Sequence, residues 1–189
     1  MERQLILASQ SPRRREIMAR EGLHPIICPA DVEENLPDGI GPEEAVMFLS
    51  LKKALAIERE HPEFAGSLII AADTVVYQGK IYGKPHTRDE AYEMIESFRN
   101  THHKVMTGVS LLVAGTSARR SFCDTTLVYC KDYPQEFIQS YIDTPEPYDK
   151  AGAYAIQMTF GKWIDHIEGD YDNVVGLPFT RMMAEIEKL

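Results

Sequence analysis

The sequence is short of cysteine, of long apolar runs and of positive charge, and each shortage removes a class of function. Its three cysteines, Cys28, Cys123 and Cys130, are odd in number and too widely spaced for a CxxC pair or a zinc pattern with neighbouring histidines, so they read as structural or incidental thiols. No segment approaches the ~20 consecutive apolar residues of a membrane helix. The opening MERQLILASQ holds a four-residue apolar run, too short for the core of a secretory signal, which puts the expected location in the cytoplasm and off the membrane. Acidic residues outnumber basic ones, 29 to 20, for a formal charge of -9. That balance argues against a protein that coats nucleic acid, because such binding rests on a basic surface that displaces counterions. GxSxG, HExxH and GxGxxG motifs are all missing, which weakens serine hydrolase, zincin and dinucleotide-binding readings. There is also no internal repeat, low-complexity tract or Gly/Ser linker.

What remains is an ordinary globular composition, 44% hydrophobic and 26% charged over 189 residues, enough for one domain over 1–189 with at most two lobes. Strand and helix patterns alternate along it. Residues 4 to 8 read as a buried strand, followed by a helix with Ser11 as N-cap and Pro12 at its first position, ending at Gly22. A second strand is expected over 24 to 29, then an acidic loop and a largely buried helix from Pro42 to Glu60. LIIAADTVVY, residues 68 to 77, is the strongest strand; a turn at Gln78, Gly79 and Lys80 leads to a short return strand. Thr87 with Glu90 fits a capping box for a helix through Phe98. Long strands over 103 to 114 and 120 to 130, a helix over 134 to 142, an extended stretch over 151 to 167 and a helix after Pro178 complete the pattern of an α/β protein with a mixed sheet.

Several residues stand out chemically. LILASQSPRRR puts a strand, a tight polar turn and a helix start in succession, an arrangement that aims backbone N–H groups at an anion such as phosphate. Arg13, Arg14 and Arg15 crowd the first turn, where the helix dipole is already positive and each cation costs about a few tenths of a kcal/mol unless an anion binds. The plainer alternative is a solvated basic turn paired with Glu16. Asp73 lies inside an otherwise apolar strand, where an unpaired carboxylate costs several kcal/mol, so it needs a partner, a metal or a strand-end position. Lys52 and Lys53 both have apolar neighbours at helical spacing, and spacing does not choose between them. Lys84 follows the Gly79 to Gly83 turn, but the spacing is one residue short of a P-loop and Pro85 replaces the hydroxyl residue that would hold magnesium. Glu33 and Glu34 could ligate a hard divalent cation or simply be solvated. Asp170 to Asn173 lacks EF-hand spacing and reads as a turn, and the adjacent His102 and His103 point to opposite faces of a strand.

Taken in order, LILASQSPRR, DVEE, the helix bearing Lys53 and Ala54, AADTVV, YGKP, KAGAYAIQ and VVGLP resemble the Maf family of nucleoside triphosphate pyrophosphatases over nearly the whole chain. The resemblance implies a mixed twisted sheet flanked by helices, two lobes around a cleft as in the inosine triphosphate pyrophosphatases, and a homodimer. It also implies cleavage of nucleoside triphosphates to monophosphate and pyrophosphate with a divalent metal, magnesium or manganese. Carried over by position, Ser9, Arg13 and Arg14 fall in the phosphate-binding turn, Lys53 and Lys84 match the family's basic residues, and Glu34 with Asp73 would hold metal. Asp73 matches the proton acceptor. Arg13, Thr74 and Gln157 resemble the subgroup acting on dTTP and UTP. One position departs: the family places glycine after the glutamine, where this chain has Met158, which either reshapes the base pocket or only alters the following turn. The alternative from another class is a non-catalytic cell-division regulator or nucleotide sensor.

Overall fold

In the computed structural model, which describes residues 3–189, the first apolar run becomes strand β1 (Leu5–Leu7) and Pro12 opens helix α1 (Pro12–Arg20). There follow β2 (Ile26–Ile27), α2 (Pro42–Glu60), β3 (Leu68–Tyr77), β4 (Ile81–Tyr82), α3 (Arg88–Phe98), β5 (His102–Val113) and β6 (Arg119–Cys130). The chain ends with α4 (Gln135–Ile142), β7 (Ile164–Glu168), α5 (Tyr171–Val175) and α6 (Phe179–Ile186). The strands form one seven-stranded mixed sheet in the order β2-β1-β3-β5-β6-β7, with β4 paired to β3. β1 runs parallel to both β2 and β3, whereas β4 is antiparallel to β3 and β7 antiparallel to β6. Among the described residues no helix is long and apolar enough to cross a membrane.

Two compact units divide the chain, and the division falls inside β3 between Asp73 and Thr74. The first takes the chain up to Asp73, Thr107–Asp124 and Gly176–Leu189. Its core joins Ile6, Ile57, Ile69 and Leu112 with small alanines, and each large aliphatic side chain contributes about 1.5–3 kcal/mol by leaving water. Helix α2 is compatible with its own dipole, having Pro42 at the first position, Glu43 and Glu44 in the first turn and Arg59 in the last. Its backbone lies directly against β5 at Gly108, where a Cβ would sit 2.3 Å from the Val46 carbonyl carbon. Any side chain at 108 would push the helix, and the lysines it carries, away from the sheet.

The second unit, Thr74–Met106 and Thr125–Val175, has an aromatic core built on Phe98, Tyr133, Tyr141, Tyr154 and Phe160. Ring pairs such as Tyr154 with Phe160, 4.7 Å between centroids, add specific geometry to the area they bury.

Five local expectations change. Ser11 has the extended backbone of an N-cap but makes no side-chain cap bond, because the turn is organised by Ser9 instead. The strand expected over 24 to 29 shrinks to two exposed residues, Ile26 and Ile27. The stretch 151 to 167 is mostly not extended. Gly152 and Ala153 take positive φ (68° and 65°) and form a tight non-helical turn, Thr159–Trp163 forms a short helical one, and only Ile164–Glu168 is strand. Asp170 to Asn173 leads into the short α5, with Asp170 Oδ1 accepting from the Asn173 amide at 2.9 Å. The capping box is half as expected: Thr87 Oγ1 accepts from the Glu90 amide (3.1 Å), but the Glu90 carboxylate takes the amide of His86, one residue earlier than the cap (2.7 Å).

Candidate active site

The site starts where β1 ends. The Ala8 amide donates to Ile70 on β3 (2.8 Å), which fixes the strand end, and the next residue, Ser9, is buried. Ser9 Oγ accepts two hydrogen bonds, from the Ser11 amide (3.2 Å) and from Arg14 Nη1 (3.1 Å). A hydroxyl has two acceptor lone pairs and one proton, so with both pairs engaged its remaining capacity is to donate. Arg14 is held at a second point, its Nε donating to the Gly176 carbonyl at 2.8 Å. Two anchors on one planar fork leave little rotamer freedom in a side chain that is otherwise long and mobile. Arg13 and Arg14 are half-buried while Arg15 is exposed, and the first turn of α1 carries no acidic residue to offset them. Burial lowers the Arg14 pKa from its ordinary value; Asp73 and Glu34 oppose that shift and Arg13 reinforces it, so Arg14 feels all three charges. The guanidinium remains a cation.

The second half of the site joins α2 to β3. Lys53 Nζ lies 2.6 Å from Asp73 Oδ1 and 2.7 Å from Glu34 Oε1, a single ammonium between two carboxylates. The Lys53 and Asp73 side chains are only 14% and 12% exposed, whereas Glu34 is 61% exposed. This explains how an acid is tolerated in LIIAADTVVY: the strand brings Asp73 to the lysine that neutralises it. Lys52, the neighbour that periodicity left equivalent, instead donates to the Glu33 carbonyl at 2.6 Å and tethers the acidic loop. Among the described residues no group of three or more His, Cys, Asp or Glu is placed to hold a metal ion by itself. Glu34 and Asp73 converge on one point already occupied by a cation, so a divalent ion there would have two protein carboxylates and draw its other oxygens from ligand and water. That is the coordination habit of magnesium.

The other candidate residues belong to the second unit. Thr74 follows Asp73 on β3 and is half-buried. Lys84 is exposed just beyond β4. The preceding carbonyl, of Gly83, accepts from the Gly152 amide at 3.0 Å, so the YGKP and KAGAYAIQ motifs are fastened together. Gly152 fits there with φ 68°, and a Cβ would meet Val76 Cγ2 at 2.6 Å. Gln157 is exposed in the turn after Ala155, held by the Met158 amide donating to the Ala155 carbonyl (3.2 Å), and Met158 itself is 47% exposed. Thus Ser9, Arg13, Arg14, Glu34, Lys53 and Asp73 are gathered within the first unit, and Thr74, Lys84 and Gln157 lie on segments of the second.

One participant has no local signal in the sequence. Gly176, whose carbonyl anchors Arg14, sits in VVGLP, a motif noticed but given no role. Lys150, in KAGAYAIQ, is a buried lysine whose Nζ donates to the Glu146 carbonyl (2.6 Å) and to Asp149.

Residues 4–189 match the family model described as Maf-like protein. The chain is 42% identical over 188 residues to a protein of Geobacillus sp. (strain WCH70) named dTTP/UTP pyrophosphatase, covering 99% of this chain and 98% of that one. A protein of the same name from Lachnoclostridium phytofermentans is 39% identical over 189 residues, covering 98% and 94%. Among solved structures, the Ham1 protein of Staphylococcus aureus aligns over 98% of this chain and 99% of its own with a TM-score of 0.51 and 13% identity, a likeness of fold alone.

Proposed function

Because the chain belongs to the Maf-like protein family, we propose that it hydrolyses nucleoside triphosphates, dTTP and UTP first among them, to the nucleoside monophosphate and pyrophosphate. The observation that carries this reading is the Lys53 ammonium held between Asp73 and Glu34, in the same charged group as Arg14 and Ser9. A triphosphate brings roughly four negative charges, and its cleavage needs positioning and charge stabilisation more than covalent help from the protein.

In this reading Ser9 donates its proton to a phosphate oxygen, and the fixed Arg14 with Arg13 receives the phosphates at the start of α1. Lys53 and Lys84 supply further positive charge as it is needed on the departing pyrophosphate. Asp73 orients the attacking water and takes its proton, its carboxylate aligned for that by the bond to Lys53. Magnesium or manganese would be held by Glu34 and Asp73, and when bound it supplies Lewis-acid neutralisation of phosphate charge. Gln157, with donor and acceptor on one amide, suits the imide edge of uracil or thymine, and Thr74 and Arg13 complete the proposed selectivity set. We take residues 1–189 as one catalytic domain, working as a cytoplasmic homodimer with neither nucleic acid nor membrane as partner; the family match over 4–189 supports the single domain.

The test is product identity. The protein is incubated with each common nucleoside triphosphate and magnesium or manganese, and products are resolved by ion-exchange chromatography. Monophosphate plus pyrophosphate from dTTP and UTP is the expected result; diphosphate plus orthophosphate, or no turnover at all, would sink the proposal.

A further inference from the structure

The first unit carries a second reactive cluster that the triphosphate chemistry does not use. Cys28 follows β2, its amide fixed to the Leu7 carbonyl at 3.0 Å, and its Sγ lies 3.3 Å from His61 Nε2. The other ring nitrogen, Nδ1, is 2.9 Å from Glu63 Oε1. The imidazole is also stacked on Phe64, with 5.2 Å between centroids, and its backbone closes α2 through a 3.0 Å bond from the His61 amide to the Ile57 carbonyl. A carboxylate at Nδ1 fixes the tautomer: that nitrogen carries the proton, and the Nε2 lone pair faces the sulfur. Thiol, base and orienting acid thus stand in the order of an activated nucleophile.

We propose that Cys28 is a redox-modification site, oxidised by hydrogen peroxide to a sulfenic acid and then capped by a small thiol, with His61 as its proton acceptor and Glu63 as a positioning residue. The Cys28 thiol proton passes to Nε2 as sulfur attacks one peroxide oxygen. The S–O bond forms, the O–O bond breaks, and the departing hydroxide takes the proton from His61 and leaves as water. Sulfur is oxidised by two electrons and the peroxide is reduced by two. A small thiol then attacks the sulfenic sulfur, forming the disulfide and releasing a second water.

The surroundings support this. Cys28 is half-buried, and the His61 and Glu63 side chains are 34% and 61% exposed, so the relay is open to an oxidant as small as hydrogen peroxide. Against this, burial and then the charges of Glu63 and Glu60 raise the Cys28 pKa above its ordinary value, so reactivity at this sulfur rests on the geometry of proton removal by His61. The hydrogen bond to His61 holds the Glu63 carboxyl below its usual range, consistent with an ionised orienting acid. The other thiols are placed differently: Cys130 is buried, which pushes its pKa up to about 12, and Cys123 directs its thiol to the Asp124 carbonyl at 3.6 Å.

Full-length protein would be treated with hydrogen peroxide and the sulfenic-acid trap dimedone, or with hydrogen peroxide and glutathione, and the three cysteines mapped by peptide mass spectrometry over time. Cys28 should label about tenfold or more faster than Cys123 and Cys130. His61→Asn should bring Cys28 down to the rate of Cys123, and Glu63→Gln should slow it by about threefold and shift the pH of its half-maximal rate. Equal labelling of Cys28 and Cys123 in the unmodified chain overturns the proposal, and so does an undiminished Cys28 rate in a folded His61→Asn protein. Should that variant unfold, the competition within the unmodified chain decides alone. None of these readouts depends on nucleotide turnover.

Discussion

Asp73 and His103 are both buried titratable groups on long strands, and their partners could hardly differ more. Asp73, in the first unit, faces the Lys53 ammonium at 2.6 Å and shares the field of Arg14 and Glu34. His103, in the second, is 1% exposed, shares its Nε2 with the Tyr154 hydroxyl at 2.6 Å, packs its ring on Phe98, and finds no hydrogen-bond partner for Nδ1 among the described residues. One cluster keeps its charge by pairing, the other excludes charge. A paired charge near water can exchange its partner for a ligand, whereas a neutral sealed pair can only hold the structure together. Burial of a titratable group is therefore no guide to chemistry without its partners.

The contrast breaks most sharply at Asp73. Asp73→Asn keeps the size and a hydrogen-bond acceptor for Lys53 but removes the proton acceptor, so turnover of dTTP should fall by roughly 10³-fold while the melting temperature holds or rises. Steady-state kinetics beside a thermal melt check this. Unchanged kcat would take Asp73 out of the reaction. Lys53→Ala comes next: it leaves Asp73 and Glu34 as neighbouring carboxylates with Arg14 and Arg13 as the nearby cations, and kcat/KM should fall by about 10²-fold. A loss confined to KM would recast Lys53 as a binding group only.

On the other side of the comparison the effect is on stability. Burial, and then the charge of His102, pushes the His103 pKa down from 6.5 to about 3. Below pH 6.5 the unfolded chain takes up a proton at this residue and the folded chain does not. Stability is therefore whole above pH 6.5 and drains at up to about 1.4 kcal/mol per pH unit between 6.5 and about 3, about 2 kcal/mol by pH 5. Urea unfolding at pH 7 and pH 5 measures this, and in His103→Gln the interval should narrow. An identical pH dependence in that variant would show that other groups set the acid limit.

The strands and helices were largely legible because their signals are local. LIIAADTVVY forms β3 over 68 to 77 as its apolar run predicts, and the alternation at His102 and His103 leaves one ring exposed and the other buried. Arg14 was legible as a member of a basic turn, but its anchor was not, since Gly176 lies 162 positions away and offers only a carbonyl, which every residue has. The stretch 151 to 167 misled because its alanines and aromatics suit a strand, while Gly152 and Ala153 take positive φ and Gly152 lies so close to Val76 that no side chain fits there. Ser9 and Ser11 were both available to organise the turn, and only the position of Arg14 selects Ser9.

Lys52 and Lys53 carry that lesson to its smallest measurable effect. The two are adjacent on α2 with apolar neighbours at the same spacing, yet one ammonium meets Asp73 and the other the Glu33 carbonyl. Lys52→Ala removes a tether of the acidic loop and no charge from the Asp73 pair, so kcat should stay within about twofold and KM rise by no more than about threefold as Glu34 loses some of its placement. The double variant Lys52→Ala/Lys53→Ala should then be worse than the product of the single effects, because both lysines hold the same segment, one at the Glu33 carbonyl and one at the Glu34 carboxylate. A Lys52 effect as large as that of Lys53 would mean that the loop bearing Glu34, rather than the ammonium at Asp73, limits the reaction.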